Sequence, residues 1–178
     1  MKKFLFCLSL GSILLSCNND KEKPVTTETT STAEKSTVEL PYTASYTSSW
    51  STDVSDTDLK TILTTYKDWS DGNISGLQTA MGDTVSVDMY TGDHFKLSKA
   101  DLAKMWGTYR DSLSSVKIDM QGWQKMYATD KKETYIVTWY DETDTYKNGR
   151  VDAGSYHDIN QLKDGKLVYY AQYKRPKK

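Results

Sequence analysis

The stretch HDINQLKDGKLVYY, residues 157–170, sets an imidazole beside a carboxyl just ahead of a hairpin signal. Either group exchanges protons usefully only where its surroundings bring its pKa toward neutrality, and burial does this for a carboxyl by penalising its charge. Neighbouring residues on a strand face opposite sides, so only one of His157 and Asp158 can enter an interior. The elements around them decide which.

Asn148-Gly149 and Asp164-Gly165 favour type I′ turns, which need two residues at positive φ. Counting back from two-residue loops pairs Lys163 with Lys166, Leu162 with Leu167, Asn160 with Tyr169, Asp158 with Ala171 and Tyr156 with Tyr173. It also sets Trp139 opposite Asp158, Val137 opposite Asn160 and Tyr135 opposite Leu162. One face then carries these residues other than Lys163 and Lys166, together with Asp141. The other carries Ile136, Thr138, Tyr140, His157, Ile159, Gln161, Val168, Tyr170 and Gln172. The first face is richer in large aromatics and is expected to cover the helices, with Asp158 inward and His157 outward. A bulge would reverse part of this.

The expected ligand-binding set is therefore Trp139, Tyr156, Asp158, Asn160, Tyr169 and Tyr173, joined by Trp106 from a helix. Asp158 has two readings there: a desolvated acid/base, or an acceptor closing a network with Tyr156, Tyr173 or the Trp139 indole. The second is the plainer. His94, in the loop TGDHFK, either caps the pocket mouth or is solvated. On the outer face Ile136, Tyr140, Ile159, Val168 and Tyr170 make an apolar patch that favours a homodimer.

The positioning elements are legible in outline. Ser55 and Asp58 form a capping pair, and Leu59, Ile62, Leu63, Tyr66 and Trp69 recur at helical spacing until Gly72. A short helical pattern follows through Ile74, Leu77, Gln78 and Met81, then a strand with Val85, Val87 and Met89 on one side. A second long helix starts at Ser98 and carries Leu102, Met105, Trp106, Tyr109 and Leu113 on one stripe. Four strands follow, at roughly 116–128, 133–146, 150–163 and 166–174, as an antiparallel meander.

Helix, short helix, strand, long helix and a meander closed by KDGKLVYYAQY resembles the NTF2-like superfamily, in particular its SnoaL-like branch. The best local match is HDINQLKDGKL. The resemblance implies an α+β fold, a curved antiparallel sheet wrapping N-terminal helices into a cone around an apolar pocket. It also implies, for a cyclase or isomerase, an acid/base role for Asp158. The second polar partner usual in such enzymes, often a histidine, is missing, because His157 points away. Function does not follow from the fold, since the superfamily spans enzymes, transport factors and binding modules.

The N-terminus, MKKFLFCLSLGSILLSC, has two lysines and an apolar run too short to span a bilayer. Its end, Leu14-Leu15-Ser16-Cys17, resembles a bacterial lipobox. This implies a signal peptide over residues 1–16 and a lipid on Cys17, anchoring the chain in the cell envelope, with outer-membrane retention the expectation from Asn18 and the charged segment after it. Two acyl chains anchor stably at about 0.8 kcal/mol per buried methylene. Cys7 and Cys17 are then both consumed, leaving no thiol for a disulfide, metal or nucleophile.

Residues 17–50, rich in Thr, Ser, Glu and Lys, are expected to be a disordered tether with a reach of roughly 30 Å. Tyr42, Tyr46 and Trp50 near its end are expected to pack back on the domain, residues 51–178. A net charge of −1 argues against general nucleic-acid binding, and Lys174, Arg175, Lys177 and Lys178 read as a solvated basic tail. No phosphate loop, metal-ligand cluster or nucleophile-histidine-acid set is visible, so neither cofactor nor metal is expected. The leading expectation is a tethered module binding a small amphipathic or aromatic molecule or a partner. Its competitors are an isomerase or cyclase using Asp158, and a dimeric scaffold.

Overall fold

Ser55 accepts the amide of Asp58 at 3.0 Å and starts α1 (Asp56–Asp71), which Gly72 ends at φ +75°. Ile62 and Tyr66 are the residues of α1 that become buried. Asn73 caps α2 (Ile74–Ala80), and Ser98 caps α3 (Lys99–Asp111) through the amide of Asp101. The caps at Ser55, Gly72 and Ser98 are those read from the sequence, and the one at Asn73 is not among them. They are seen in a computed structural model that describes residues 38–177. The expected signal peptide, Cys17 and the tether up to residue 37 lie outside the described residues.

The strands are β1 (Trp50–Ser51), β2 (Met81–Asp88), β3 (His94–Ser98), β4 (Leu113–Ala128), β5 (Glu133–Tyr146), β6 (Val151–Lys163) and β7 (Lys166–Pro176). They form one curved, unclosed sheet in the order β1-β4-β5-β6-β7-β2-β3, antiparallel throughout except where β2 runs parallel to β7. Ile62 and Tyr66 of α1 and Leu102 of α3 pack on its concave side, where Val85, Val87, Ile136, Tyr140 and Leu162 join one hydrophobic core.

Three expectations change. The segment around His94 is not a loop: it forms β3, with His94 opposite Asp88 and bonded to its carboxylate. Contact with the sheet begins ahead of Ser51: Tyr46 and Trp50 pack back against Tyr135 as expected, while Tyr42 is 87% exposed. Trp50 and Ser51 pair with Ala128 and Tyr127, and the Tyr46 hydroxyl meets that of Tyr135 at 2.7 Å.

The third change is one of register. The loop before β6 holds residues 146–150, closed by Tyr146 N–H and the Arg150 carbonyl at 2.8 Å, so the last pair is Thr145 with Val151. That is one residue away from a two-residue Asn-Gly loop, and a one-residue slip turns every side chain of a strand over. Thr138, not Trp139, therefore lies opposite Asp158. The Asp164-Gly165 turn does pair Lys163 with Lys166 and Leu162 with Leu167. Beyond it a bulge at Val168 sets Tyr169 opposite Gln161 and turns the rest of β7 over.

Ile136, Thr138, Tyr140, Glu142, Tyr170 and Gln172 thus face the helices, while Trp139, Val137, Tyr135, Asp141, Tyr169, Ala171 and Tyr173 face away. The apolar patch expected to favour a dimer loses Ile136, Tyr140 and Tyr170 to the interior. The basic end also differs from a free tail. Lys174 is almost wholly buried and holds both oxygens of Asp152 at 2.8–2.9 Å, and Lys177 pairs with Asp141 at 2.6 Å.

Candidate functional site

Strand β6 carries no bulge against β5, so alternation back from Leu162 brings Asn160, Asp158 and Tyr156 to the concave side in turn. Asp158 is fully buried. Its Oδ2 accepts three hydroxyls: Tyr140 of β5 at 2.8 Å, Tyr66 of α1 at 2.9 Å and Tyr170 of β7 at 3.0 Å. Each of these tyrosines spends its one proton on Asp158 and accepts from elsewhere. Thr138 (2.6 Å) and Asn160 (3.2 Å) donate to Tyr66, and Gln172 donates to Tyr170 (2.6 Å) and Tyr140 (3.3 Å).

The second oxygen of Asp158, Oδ1, has no hydrogen-bond partner. Burial pushes its carboxyl up to about 7, against the pull of the three hydroxyls toward the charged form. Burial first, and then the same carboxylate, push the hydroxyls of Tyr66 and Tyr170 well above their ordinary range.

Above this network lies a cavity of about 380 Å³. Its floor is Tyr66, Tyr140, Tyr170, Asn160 and Gln172, so the tyrosine hydroxyls separate Asp158 from the space. Its walls include Trp69, Phe95, Trp106 and Tyr156. Trp106 meets Tyr170 edge-on at 6.1 Å, and Tyr156 stacks on Tyr140 at 5.1 Å. The turn carrying Tyr90, Thr91 and Asp93 and the helix residues Met105 and Tyr109 form the more exposed rim.

Two further carboxyls reach the cavity, Glu142 and Asp144, both buried and two apart on the inner face of β5. Burial and the charge of Asp144 beside it push Glu142 up to about 8. Burial also raises Asp144, while the Tyr109 hydroxyl, donating to its Oδ2 at 3.2 Å, opposes this. Asp144 Oδ1 has no partner. Counting from a two-residue Asn-Gly loop hid both residues by placing Asp141 inward instead. The alternation Thr138, Tyr140, Glu142, Asp144 was the available signal, and only the loop length concealed which face it belonged to.

Of the residues expected to bind a ligand, the structure brings Tyr156, Asn160 and Trp106 to the cavity and Asp158 behind its floor. Trp139, Tyr169 and Tyr173 are elsewhere. Trp139 (41% exposed) and Tyr173 (56% exposed) flank His157 on the outer face, at 5.1 and 5.9 Å between rings. Tyr169 donates its hydroxyl to Asp88 at 2.7 Å, in a cluster with His94. The slipped register moved Trp139, and the β7 bulge moved the two tyrosines.

No family model and no curated protein matches the sequence. Solved structures match in fold. An LEH-like epoxide hydrolase from M. tuberculosis superposes with a TM-score of 0.58 at 7% identity, over 67% of this chain and 84% of the other. A candidate polyketide cyclase from Acidithiobacillus ferrooxidans gives 0.56 at 18% identity, over 68% and 89%. An NTF-2-like protein of unknown function from Burkholderia xenovorans gives 0.52 at 13%, over 69% and 86%. The chain has the NTF2-like fold, an α+β cone, as its sequence pattern led us to expect.

The pKa of Asp158 yields a prediction of definite sign. Between its ordinary value of 3.8 and about 7 the native carboxyl keeps a proton that the unfolded chain has released, so native stability falls as pH rises through that window. Asp158→Asn removes this slope. Urea unfolding should show the variant gaining on the parent by roughly 2–3 kcal/mol between about pH 5 and pH 8, whatever its offset at pH 5. Parallel pH curves for the two proteins would mean that Asp158 is ionised throughout.

Proposed function

We propose that this protein is an envelope-tethered binding module whose NTF2-like cavity takes a small amphipathic molecule. The carrying observation is the cavity itself, about 380 Å³ with aromatic walls and its carboxyls confined to one strand and the rim. Small-molecule sites run roughly 300–1,000 Å³ and combine apolar walls with a few placed polar groups. Trp69 and Trp106 line it, so occupancy should change tryptophan emission as well as stability. A ligand present at about 100 times its Kd stabilises by about 2.7 kcal/mol. A screen of amphipathic and aromatic compounds should therefore find ligands that raise Tm and shift emission together, with both effects lost in the cavity-filling variant Met89→Trp. Hits unaffected by that variant would place binding elsewhere.

A second reading is favoured by Glu142. It touches the cavity, it holds its proton to about pH 8, and Asp144 beside it can take up the complementary role of base. Proton-transfer chemistry on an enolisable or cyclic substrate would therefore use Glu142 as acid, in place of Asp158, which the tyrosine floor keeps from ligand contact. Under this reading turnover falls as pH rises through about 8, and Glu142→Gln lowers kcat by about a hundredfold or more with Tm retained. Full activity in Glu142→Gln would remove the proton-transfer reading and leave the binding one.

The tether reading rests on the basic, apolar and Leu-Leu-Ser-Cys sequence of residues 1–17. Cys17→Ser should abolish incorporation of labelled palmitate and shift the protein from the membrane to the soluble fraction. Unchanged labelling in that variant would exclude Cys17 as the lipid site.

A further inference from the structure

The cavity is one-sided in charge. Asp93 at its rim and Glu142 and Asp144 within it are acidic, and among the described residues no lysine, arginine or histidine lines it. Lys174 sits behind the wall over the rings of Tyr90 and Tyr156, at 5.2 and 5.3 Å, with its charge offset by Asp152. An anionic ligand would meet carboxyls with nothing to pair with.

A neutral apolar ligand would leave Asp144, only 3% exposed, with the Tyr109 hydroxyl on Oδ2 and the proton of the neighbouring Glu142 carboxyl as its donors, and with nothing to balance the charge the two acids share. The ring faces near these acids suit positive charge. Trp69 and Tyr109 stack in parallel at 5.9 Å, and the Tyr109 hydroxyl is already on the other oxygen of Asp144. Lys174 shows that the neighbouring tyrosines hold an ammonium of the protein's own.

We propose that the cavity binds a protonated organic amine, whose N–H donates to Asp144 Oδ1 beside Glu142 while its apolar body lies along Phe95, Trp106 and Leu77. This rests on the ligand-binding reading of the cavity and names the chemical class of its occupant. A cation arriving there also favours the charged form of Glu142, which burial and Asp144 otherwise keep protonated.

Three probes of one shape and three charges test it on the intact protein: 4-phenylbutylamine, 4-phenylbutan-1-ol and 4-phenylbutyrate, titrated by calorimetry at pH 7. The expected order is amine first, the alcohol about tenfold weaker, and the carboxylate undetectable. Asp144→Asn should bring the amine down to the affinity of the alcohol and leave the alcohol unchanged. If that variant fails to fold, the series on the parent protein decides alone. Binding of the alcohol or the carboxylate as tightly as the amine overturns the charge preference and leaves the cavity reading standing. No binding by any of the three at millimolar concentration overturns both.

Discussion

One oxygen atom organises this fold. Asp158 Oδ2, on β6, collects hydroxyls from the two flanking strands β5 and β7 and from α1, 92 residues away in sequence, so the sheet and the first helix meet at a single acceptor. A carboxylate in an apolar interior is costly unless its lone pairs are used, and three donors at 2.8–3.0 Å use those of one oxygen fully. The arrangement works only if β7 turns Tyr170 inward, which the bulge at Val168 does. Polar network and backbone irregularity are therefore one feature: without the bulge Tyr169 would face the core, and its hydroxyl would leave Asp88.

The cavity follows from what the network leaves unfilled. Along the inner face of β5 the side chains run Ile136, Thr138, Tyr140, Glu142, Asp144, from apolar through hydroxyl to acid. Residues two apart on a strand are separated by roughly 7 Å, so this gradient extends over more than 20 Å. The lower part is packed against α1. The upper part, where α3 and the β2–β3 turn stand off, keeps two carboxyls under aromatic walls and out of bulk water. Their raised pKa values are consequences of this placement: burial raises both, the charge of Asp144 raises Glu142 further, and hydrogen bonds from Tyr109 and Glu142 pull Asp144 back down.

Much of this was legible in the sequence, and the misplaced site residues share one kind of cause. Helix starts at Ser55 and Ser98 and the stop at Gly72 followed from local hydrogen-bonding chemistry, which is contained within a few residues. Asp158 does face inward, although the aromatics that argued for that face, Tyr135, Trp139, Tyr169 and Tyr173, themselves face away; of the residues grouped with it, Tyr156, Asn160 and Leu162 of its own regular strand share its side. Its neighbours were misassigned because facing is carried across strands by counting, and two one-residue irregularities intervened. The loop of residues 146–150 absorbs Tyr146 and Arg150, whose guanidinium lies 3.6 Å over the tyrosine ring, a contact that a dipeptide turn signal does not encode. The Val168 bulge answers to the buried network, a tertiary demand. Trp139 and Tyr140 are the clearest casualties: both are large aromatics, so composition could not tell which of the two belonged inside.

The sheet is open, and its two free margins are treated differently. On one side β1 covers β4 only at Tyr127 and Ala128, leaving most of a 16-residue strand as the margin. That length of free backbone is a template on which a foreign strand could add. The register of β4 breaks between Met120 and Gly122, and Lys117, Asp119 and Lys125 are spaced along it, so no long flat run of unpaired amides is offered. On the other side β3 is only five residues long and alternates exposed His94, Lys96 and Ser98. A second chain seeking to extend this sheet meets kinks and charge at one margin and too short a ladder at the other, so the openness that gives the cone its mouth does not make the protein a seed for fibrils.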